Sequence, residues 1–515
     1  MSRPTNRWAI LGVLCLSVFL VVVDNTIVNV ALPSFQRDLN ASTSALQWIV
    51  DGYSLPFAGL LLAGAGIADR FGRKRVMHAG LLFFGLFSVG AAFSTSSVSM
   101  ILFRALMGAA AAFVFPSTQS VLTVAFPDSA ERAKAFGLWG AVSGLAVAFG
   151  PITGGFLIDH FWYGSVFLVN VPLVAIALGL GIWLIPETRA PEKRPLDLPG
   201  LALGTAGISA LVFALIEGPN WGWGSVPTVG LFVASVVLLA SFVVVELRQS
   251  FPLFDVRMFR RGPFSGGAGG IGLAFFTLFG FIFLVTQYFQ TVRGMSPLSA
   301  GVHTLPFALT TMVMMPLAAV IALKVGVRYV VVTGVVLMAA GVAWMGIQDS
   351  STAYFGPIVL SMITMAFGFS LINPPSTASI MGSLEPQQIA SGSAVNSVTR
   401  ELGGTLGVAV SGSVFSSVFA PGVRTLFEPY RAQISPDTLD AASSSMAWAH
   451  TLAEQLGQNL PASAATALRN GVSSAFMDSF HRACLVIAAV SLLGAFAVWR
   501  PLSPTPATRE SLRVE

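Results

Sequence analysis

Long apolar runs, broken at short intervals by polar or charged clusters, dominate this 515-residue chain. A helix that crosses a bilayer needs about 20 predominantly apolar residues. Fourteen runs fit, at roughly 8–30, 46–68, 76–95, 98–121, 134–158, 164–185, 198–217, 226–247, 267–290, 300–322, 329–347, 353–374, 393–418 and 479–499. The pattern predicts an all-α polytopic membrane protein, and the even number of crossings puts both termini on one side. The first run is read as a retained helix, because it is long from Trp8 onward, contains Asp24 and lacks a small-x-small cleavage site. One interval departs from the rhythm. Residues from about 420 to 478 are polar, and "DTLDAASSSMAWAHTLAEQLGQNL" (Asp437–Leu460) has helical spacing before the Pro461 break. A long outer loop carrying short surface helices is expected there.

Composition agrees with the pattern. Hydrophobic residues make up 54% of the chain and charged residues 10%, whereas a soluble domain carries about a quarter charged residues. The formal net charge of +5 could suggest a nucleic-acid partner, but its distribution argues otherwise. With the N-terminus inside, the cytoplasmic segments hold Arg3, Arg7, "DRFGRKR", "ERAKA", "ETRAPEKRP", the arginines from Arg248 to Arg261, Lys324, Arg328 and the C-terminal tail. These contain 20 of the 28 basic residues, against Arg37 and Arg293 in short outer loops. This is a positive-inside asymmetry that sets topology, with both termini cytoplasmic and the basic loops facing membrane lipid headgroups. Cys15 and Cys484 lie in apolar runs and the five histidines are scattered, so no disulfide framework, metal site or cofactor is expected.

The chain also repeats itself. "SLPFA" at Ser54–Ala58 returns as "TLPFA" at Thr304–Ala308, and "ADRFGRKRV" at Ala68–Val76 returns, degenerate, as "ALKVGVRYV" at Ala322–Val330. Helices 1–6 therefore match helices 9–14. This predicts an N-terminal six-helix half over 1–190, two inserted helices with linkers over 191–262, and a C-terminal half over 263–515. Repeated halves of this kind bind substrate between them, near mid-membrane.

Charged side chains inside the apolar runs are the candidates for chemistry, since each is costly in hydrocarbon. At 1.5 Å per residue, Asp24 lies roughly 24 Å along helix 1, Asp51 roughly 7 to 8 Å into helix 2 and Arg104 about 9 Å into helix 4. The alternating directions of these helices bring two acids and one base to a common level. Burial and a neighbouring Arg pull a carboxylate's proton affinity in opposite directions, which suits a group that gains and loses a proton. Glu401 sits roughly 12 to 14 Å into helix 13. Arg400 is adjacent, but neighbours on a helix point about 100° apart, so no pair between them is required. His303 aligns in the repeat with Tyr53, either near the acids or as a satisfied interfacial histidine. "GLAFFTLFGFIF" (Gly272–Phe283) can line an aromatic cavity or face lipid.

Several stretches in order resemble the major facilitator superfamily, and within it the fourteen-helix drug:proton antiporters. "LLLAGAGIADRFGRKR" resembles the loop 2–3 signature through Asp69, Arg70, Gly72, Arg73 and Lys74, with Ala65 where glycine is usual. "ILFRALMG" resembles the helix 4 motif through Arg104 and Gly108, with Met107 where glutamine is usual. "GLAVAFGPITGG" resembles the helix 5 antiporter motif through Gly144, Gly150, Pro151, Gly154 and Gly155. "DNTIVNVALP", "WIVDGYSL", "QYFQTVRGMSPLSAG" and "RELGGTLGVAV" resemble further signatures of that branch, while Tyr163-Gly164-Ser165 replaces an aromatic-Arg-aromatic element before "FLVNVP".

The resemblance implies a secondary transporter of the bacterial inner membrane, not an enzyme. It exports lipophilic, mostly cationic drugs or antiseptics in exchange for protons, and works as a monomer. Asp24, Asp51, Arg104, Glu401 and His303 become the proton and substrate groups. The loop 2–3 residues become a conformational latch that pairs across the halves, and the helix 5 motif a hinge or seal. No "GxxxxGK[ST]" is present, so the proton-motive force is the expected energy source. The alternatives are a dedicated exporter of one endogenous product, such as an antibiotic, amphiphilic metabolite or lipid, and a lipid-handling scaffold on the same fold.

Overall fold

The computed structural model describes residues 7–189, 197–249, 256–384 and 389–502. Fourteen helices of 19 residues or more are found among them: α1 (Arg7–Asp38), α2 (Thr43–Phe71), α3 (Arg73–Ala92), α4 (Ser97–Ala125), α5 (Ser129–His160), α6 (Ser165–Leu184), α7 (Leu198–Trp221), α8 (Val226–Arg248), α9 (Gly262–Val292), α10 (Pro297–Val325), α11 (Val327–Met345), α12 (Tyr354–Gly382), α13 (Ile389–Phe427) and α14 (Ala462–Trp499). Twelve of these are long and apolar enough to cross a membrane. The other two, α2 and α5, are 29 and 32 residues long.

Local chemistry starts and stops these helices. Ser42 caps α2 by accepting from the Ala45 N–H, Ser96 and Ser99 form a reciprocal capping box on α4, and Asp128 caps α5. The α2–α3 and α10–α11 turns each hinge on one glycine, Gly72 (φ 117°) and Gly326 (φ 100°). Each donates its N–H back to an alanine carbonyl four residues earlier, Ala68 and Ala322. Only glycine adopts this backbone cheaply, and these are the aligned glycines of the sequence repeat. Packing repeats too: the pairs α1–α5, α2–α4 and α3–α4 recur as α9–α13, α10–α12 and α11–α12.

The α7–α8 hairpin packs on the α2–α13 seam. Leu55 of α2, Val212 and Ile216 of α7 and Ala409 of α13 share one buried cluster. Trp48 Nε1 donates to Glu217 Oε1 at 3.1 Å, and Ser413 donates to the Leu215 carbonyl.

The interval from 420 to 478 differs from the expected loop. Helix α13 runs on to Phe427 and α14 begins at Ala462, so both continue where the apolar runs stop. The reason is a preserved 3.6-residue stripe: Phe419, Val423 and Phe427 on one helix, and Leu468, Val472 and Phe476 on the other, are buried while polar residues cover the remaining faces. The expected short helices, Pro436–Ser444 and Met446–Gly457, cap this extension. Helix α1 likewise continues through Pro33 to Asp38.

Candidate functional site

Asp24 and Arg104 form a salt bridge with both side chains fully buried, Nη1 to Oδ2 at 2.5 Å. A buried pair holds only where further hydrogen bonds satisfy the remaining polar atoms. Here Asn170 of α6 donates to the other Asp24 oxygen at 2.7 Å and to Ser88 Oγ at 2.9 Å, while Arg104 Nη2 and Asn170 Oδ1 have no hydrogen-bond partner among the described residues. Arg104 Nε donates to the Ile49 carbonyl at 3.1 Å, and the guanidinium lies 4.3 Å above the Tyr53 ring. Five helices, α1, α2, α3, α4 and α6, thus converge on one charge pair. Helix 2 contributes the Ile49 carbonyl and the Tyr53 ring to this pair, not Asp51, the second acid expected at this level.

Asp51 stands apart. It is fully buried, and neither carboxylate oxygen has a hydrogen-bond partner among the described residues. One turn earlier on the same face of α2, Gln47 donates to the Ala409 carbonyl of α13 at 3.0 Å. One turn deeper on α13, the Thr405 hydroxyl is also unpartnered. Asp51 therefore belongs to the seam between α2 and α13, not to the Arg104 pair.

Glu401 is buried and pairs with its neighbour, Arg400 Nη2 to Oε1 at 3.2 Å, a contact the helical angle left open. A long arginine stem bends across the 100° that separates adjacent side chains. The same guanidinium sits 5.5 Å from the Phe115 ring of α4 and 5.5 Å from the Phe275 ring of α9. Phe275 comes from the "GLAFFTLFGFIF" stretch. His303 meets none of the acids: it bonds the Ser299 carbonyl of its own turn at 2.6 Å and packs 4.2 Å from the Tyr354 ring, as a satisfied interfacial histidine does.

In the loop 2–3 stretch, Lys74, Arg75 and the Arg73 backbone dock within their own half. Lys74 Nζ donates to the Ile182 carbonyl at 2.8 Å, the Lys74 N–H to Glu187 at 3.2 Å and the Arg73 N–H to the Thr188 carbonyl at 3.0 Å. Arg75 pairs with Glu187 at 3.5 Å, and Arg70 lies over the Phe71 ring. A Cβ on Gly72 would stand 2.6 Å from Glu187 Oε1. Pairing across the halves was expected for this loop, but these contacts fall on the segment after α6, which the short turn reaches first. The Asp69 side chain lies outside the described residues.

The helix 5 motif forms a seam instead. A Cβ on Gly150 would stand 2.0 Å from Thr26 Oγ1, one on Gly154 2.7 Å from Ile27, and one on Gly155 2.4 Å from the Leu298 Cα. In return a Cβ on Gly301 would stand 2.4 Å from the Pro151 carbonyl. Asp159 accepts from Ser296 Oγ at 2.9 Å and the Leu298 N–H at 3.2 Å. The surroundings of Gly144 lie outside the described residues. Further bonds join the two sets of helices at this same end, from Gln290 to the Val30 carbonyl and from Thr43 to the Ser444 carbonyl. It is the end opposite the Gly72 and Gly326 turns.

Sequence reasoning missed Asn170, Ser88, Tyr53 and the role of Arg400. Asn170 left a trace, as a lone amide in the apolar stretch "FLVNVP". Ser88 left none, since small hydroxyls are common in membrane helices and bond their own backbone.

Residues 14–408 match the Major Facilitator Superfamily family model. The chain is 34% identical over 499 residues to the multidrug efflux pump LfrA of Mycolicibacterium smegmatis, covering 96% of each. It is 32% identical over 501 residues to the methyl viologen resistance protein SmvA of Salmonella typhimurium, covering 97% of this chain and 99% of that one. It is 33% identical over 418 residues to the tetracenomycin C resistance and export protein of Streptomyces glaucescens, covering 81% and 77%. In fold it resembles a bacterial homolog of the human lysosomal transporter Spinster, with TM-score 0.64, 18% identity and coverage of 98% and 100%. The D-xylose-proton symporter aligns with TM-score 0.61 and 14% identity, covering 96% and 98%. The chain belongs to the major facilitator superfamily, as a multi-spanning transporter of the bacterial inner membrane and not an enzyme.

Proposed function

We propose that this transporter exports lipophilic, mainly cationic compounds in exchange for protons. All fourteen helices cross the membrane in this reading, with both termini cytoplasmic and the halves over 1–190 and 263–515 flanking the inserted pair. The observation that carries it is Asp51, a buried carboxylate with no partner on the seam between α2 and α13. Such a group is satisfied either by a proton or by a cation beside it, and the two occupants exclude each other. Exchange of one for the other is antiport in its simplest form. Asp24, held by Arg104 and Asn170, and Glu401, held by Arg400, supply two further carboxylates whose partners can be exchanged during the cycle. The names of LfrA and SmvA support the reading, methyl viologen being a flat dication.

The seam formed by Pro151, Gly155 and Asp159 with Ser296, Leu298 and Gly301 closes one end of the bundle. By the positive-inside assignment that end is outer, so in this reading the outer face of the bundle is shut. The loop from Arg70 to Lys74, docked on 182–188, is the element we assign to switching.

A second reading has its own support. The tetracenomycin relative couples resistance to export of one compound, so a dedicated exporter of an antibiotic-like product remains the rival. Ethidium efflux from cells expressing the protein, with and without a protonophore, tests the choice. Efflux that stops with the protonophore supports the proposal, whereas absent ethidium efflux with export of a single neutral product supports the rival.

A further inference from the structure

The Arg400 guanidinium occupies a slot that spans the two halves. The guanidinium lies over the ring of Phe115 from the N-terminal half and over that of Phe275 from the C-terminal half, 5.5 Å from each, and Glu401 closes the slot at 3.2 Å. Both rings are packed against further aromatics: Phe115 meets Trp139 edge-on at 5.1 Å, and Phe275 meets Phe369 edge-on at 5.4 Å. Aromatic faces with a carboxylate at the rim are the chemistry of a cation receptor, because the ring quadrupole and the anion both favour positive charge. The present occupant is a side chain, and it keeps 27% of its surface exposed, so it can swing out.

We infer that this slot is a receptor for the cation, separate from Asp51, and that Arg400 is its built-in competitor, a tethered surrogate that an incoming lipophilic cation must displace. The inference rests on the export reading and adds to it which residues receive the cation. Displacement does two things at once. It puts the substrate against a ring from each half, joining them across the substrate, and it strips Glu401 of its partner. A flat aromatic cation fits best, since it stacks on both rings as the planar guanidinium does.

The test is ethidium and tetraphenylphosphonium binding to the purified full-length protein. Arg400→Gln removes the competitor and should tighten binding by about 5- to 30-fold, the factor expected when a cation–π contact no longer has to be displaced. That gain should vanish when Phe115→Leu and Phe275→Leu are added, because the rings are what the competitor releases. Arg400→Lys keeps the charge but not the planar stack, and should fall between wild type and Arg400→Gln. If Arg400→Gln does not fold, the lysine variant decides: tighter binding supports the inference, unchanged binding overturns it. If wild type binds and Arg400→Gln binds no tighter, the inference fails while cation export stands. A gain that survives loss of both rings also overturns it, since charge removal alone then suffices. If neither wild type nor Arg400→Gln binds either cation, the inference and the export reading fall together.

Discussion

Asp24 and Asp51 are both fully buried, yet their surroundings are opposite. Asp24 is held by Arg104 at 2.5 Å and Asn170 at 2.7 Å, while Asp51 has no hydrogen-bond partner among the described residues. Neutralising each should therefore have different consequences for stability. Asp24→Asn leaves Arg104 buried without its counter-charge, at an expected cost of about 3–5 kcal/mol. Asp51→Asn removes a charge that nothing pairs, and should change stability by less than about 1 kcal/mol or raise it. Thermal unfolding in detergent distinguishes the two, and equal destabilisation would mean that Asp51 has a partner in the folded protein. The acids and Arg104 were legible in the sequence because an ionised group in an apolar run is conspicuous and helical rise fixes its depth. Asn170 was not, because its value comes from α6 packing beside α1, which no local pattern encodes. The Arg400–Glu401 pair was open in the sequence, because helical angle separates the two side chains while the arginine stem is long enough to bridge them.

At the scale of elements, the repeat was the most informative sequence feature. The aligned glycines Gly72 and Gly326 adopt the same left-handed turn between equivalent helices. The ends of α13 and α14 were harder to read, because hydropathy falls where polar residues dilute a stripe that still buries Phe427 and Leu468. The helix 5 glycines matter for what they allow to approach. On Gly155 a Cβ would meet the Leu298 backbone at 2.4 Å, which no side-chain rotation relieves. Gly155→Ala should hold this seam apart and shift the population toward the state open at that end. A cysteine at Val30, buried where Gln290 reaches its carbonyl across this end, reports it in a background lacking Cys15 and Cys484. The alanine variant should raise its labelling by an impermeant thiol reagent several-fold, and equal labelling rates would show that the seam does not gate access.

Across the whole molecule, the two sets of helices meet at the end that carries Asp159, Ser296 and the capping helices 436–457. If this end faces outward, a cysteine at the exposed Ser463 should react with the impermeant reagent on intact cells. Labelling only after the inner face is exposed would invert the topology. The central claim is that proton and substrate compete for buried carboxylates, so that one leaves when the other binds. Proton release from the purified protein on adding ethidium in weak buffer measures this most directly. The account predicts release from the wild type, loss of it in Asp24→Asn or Asp51→Asn, and a milder, substrate-dependent reduction in Glu401→Gln. Wild-type release persisting undiminished in all three variants would contradict it and assign these carboxylates to structure alone.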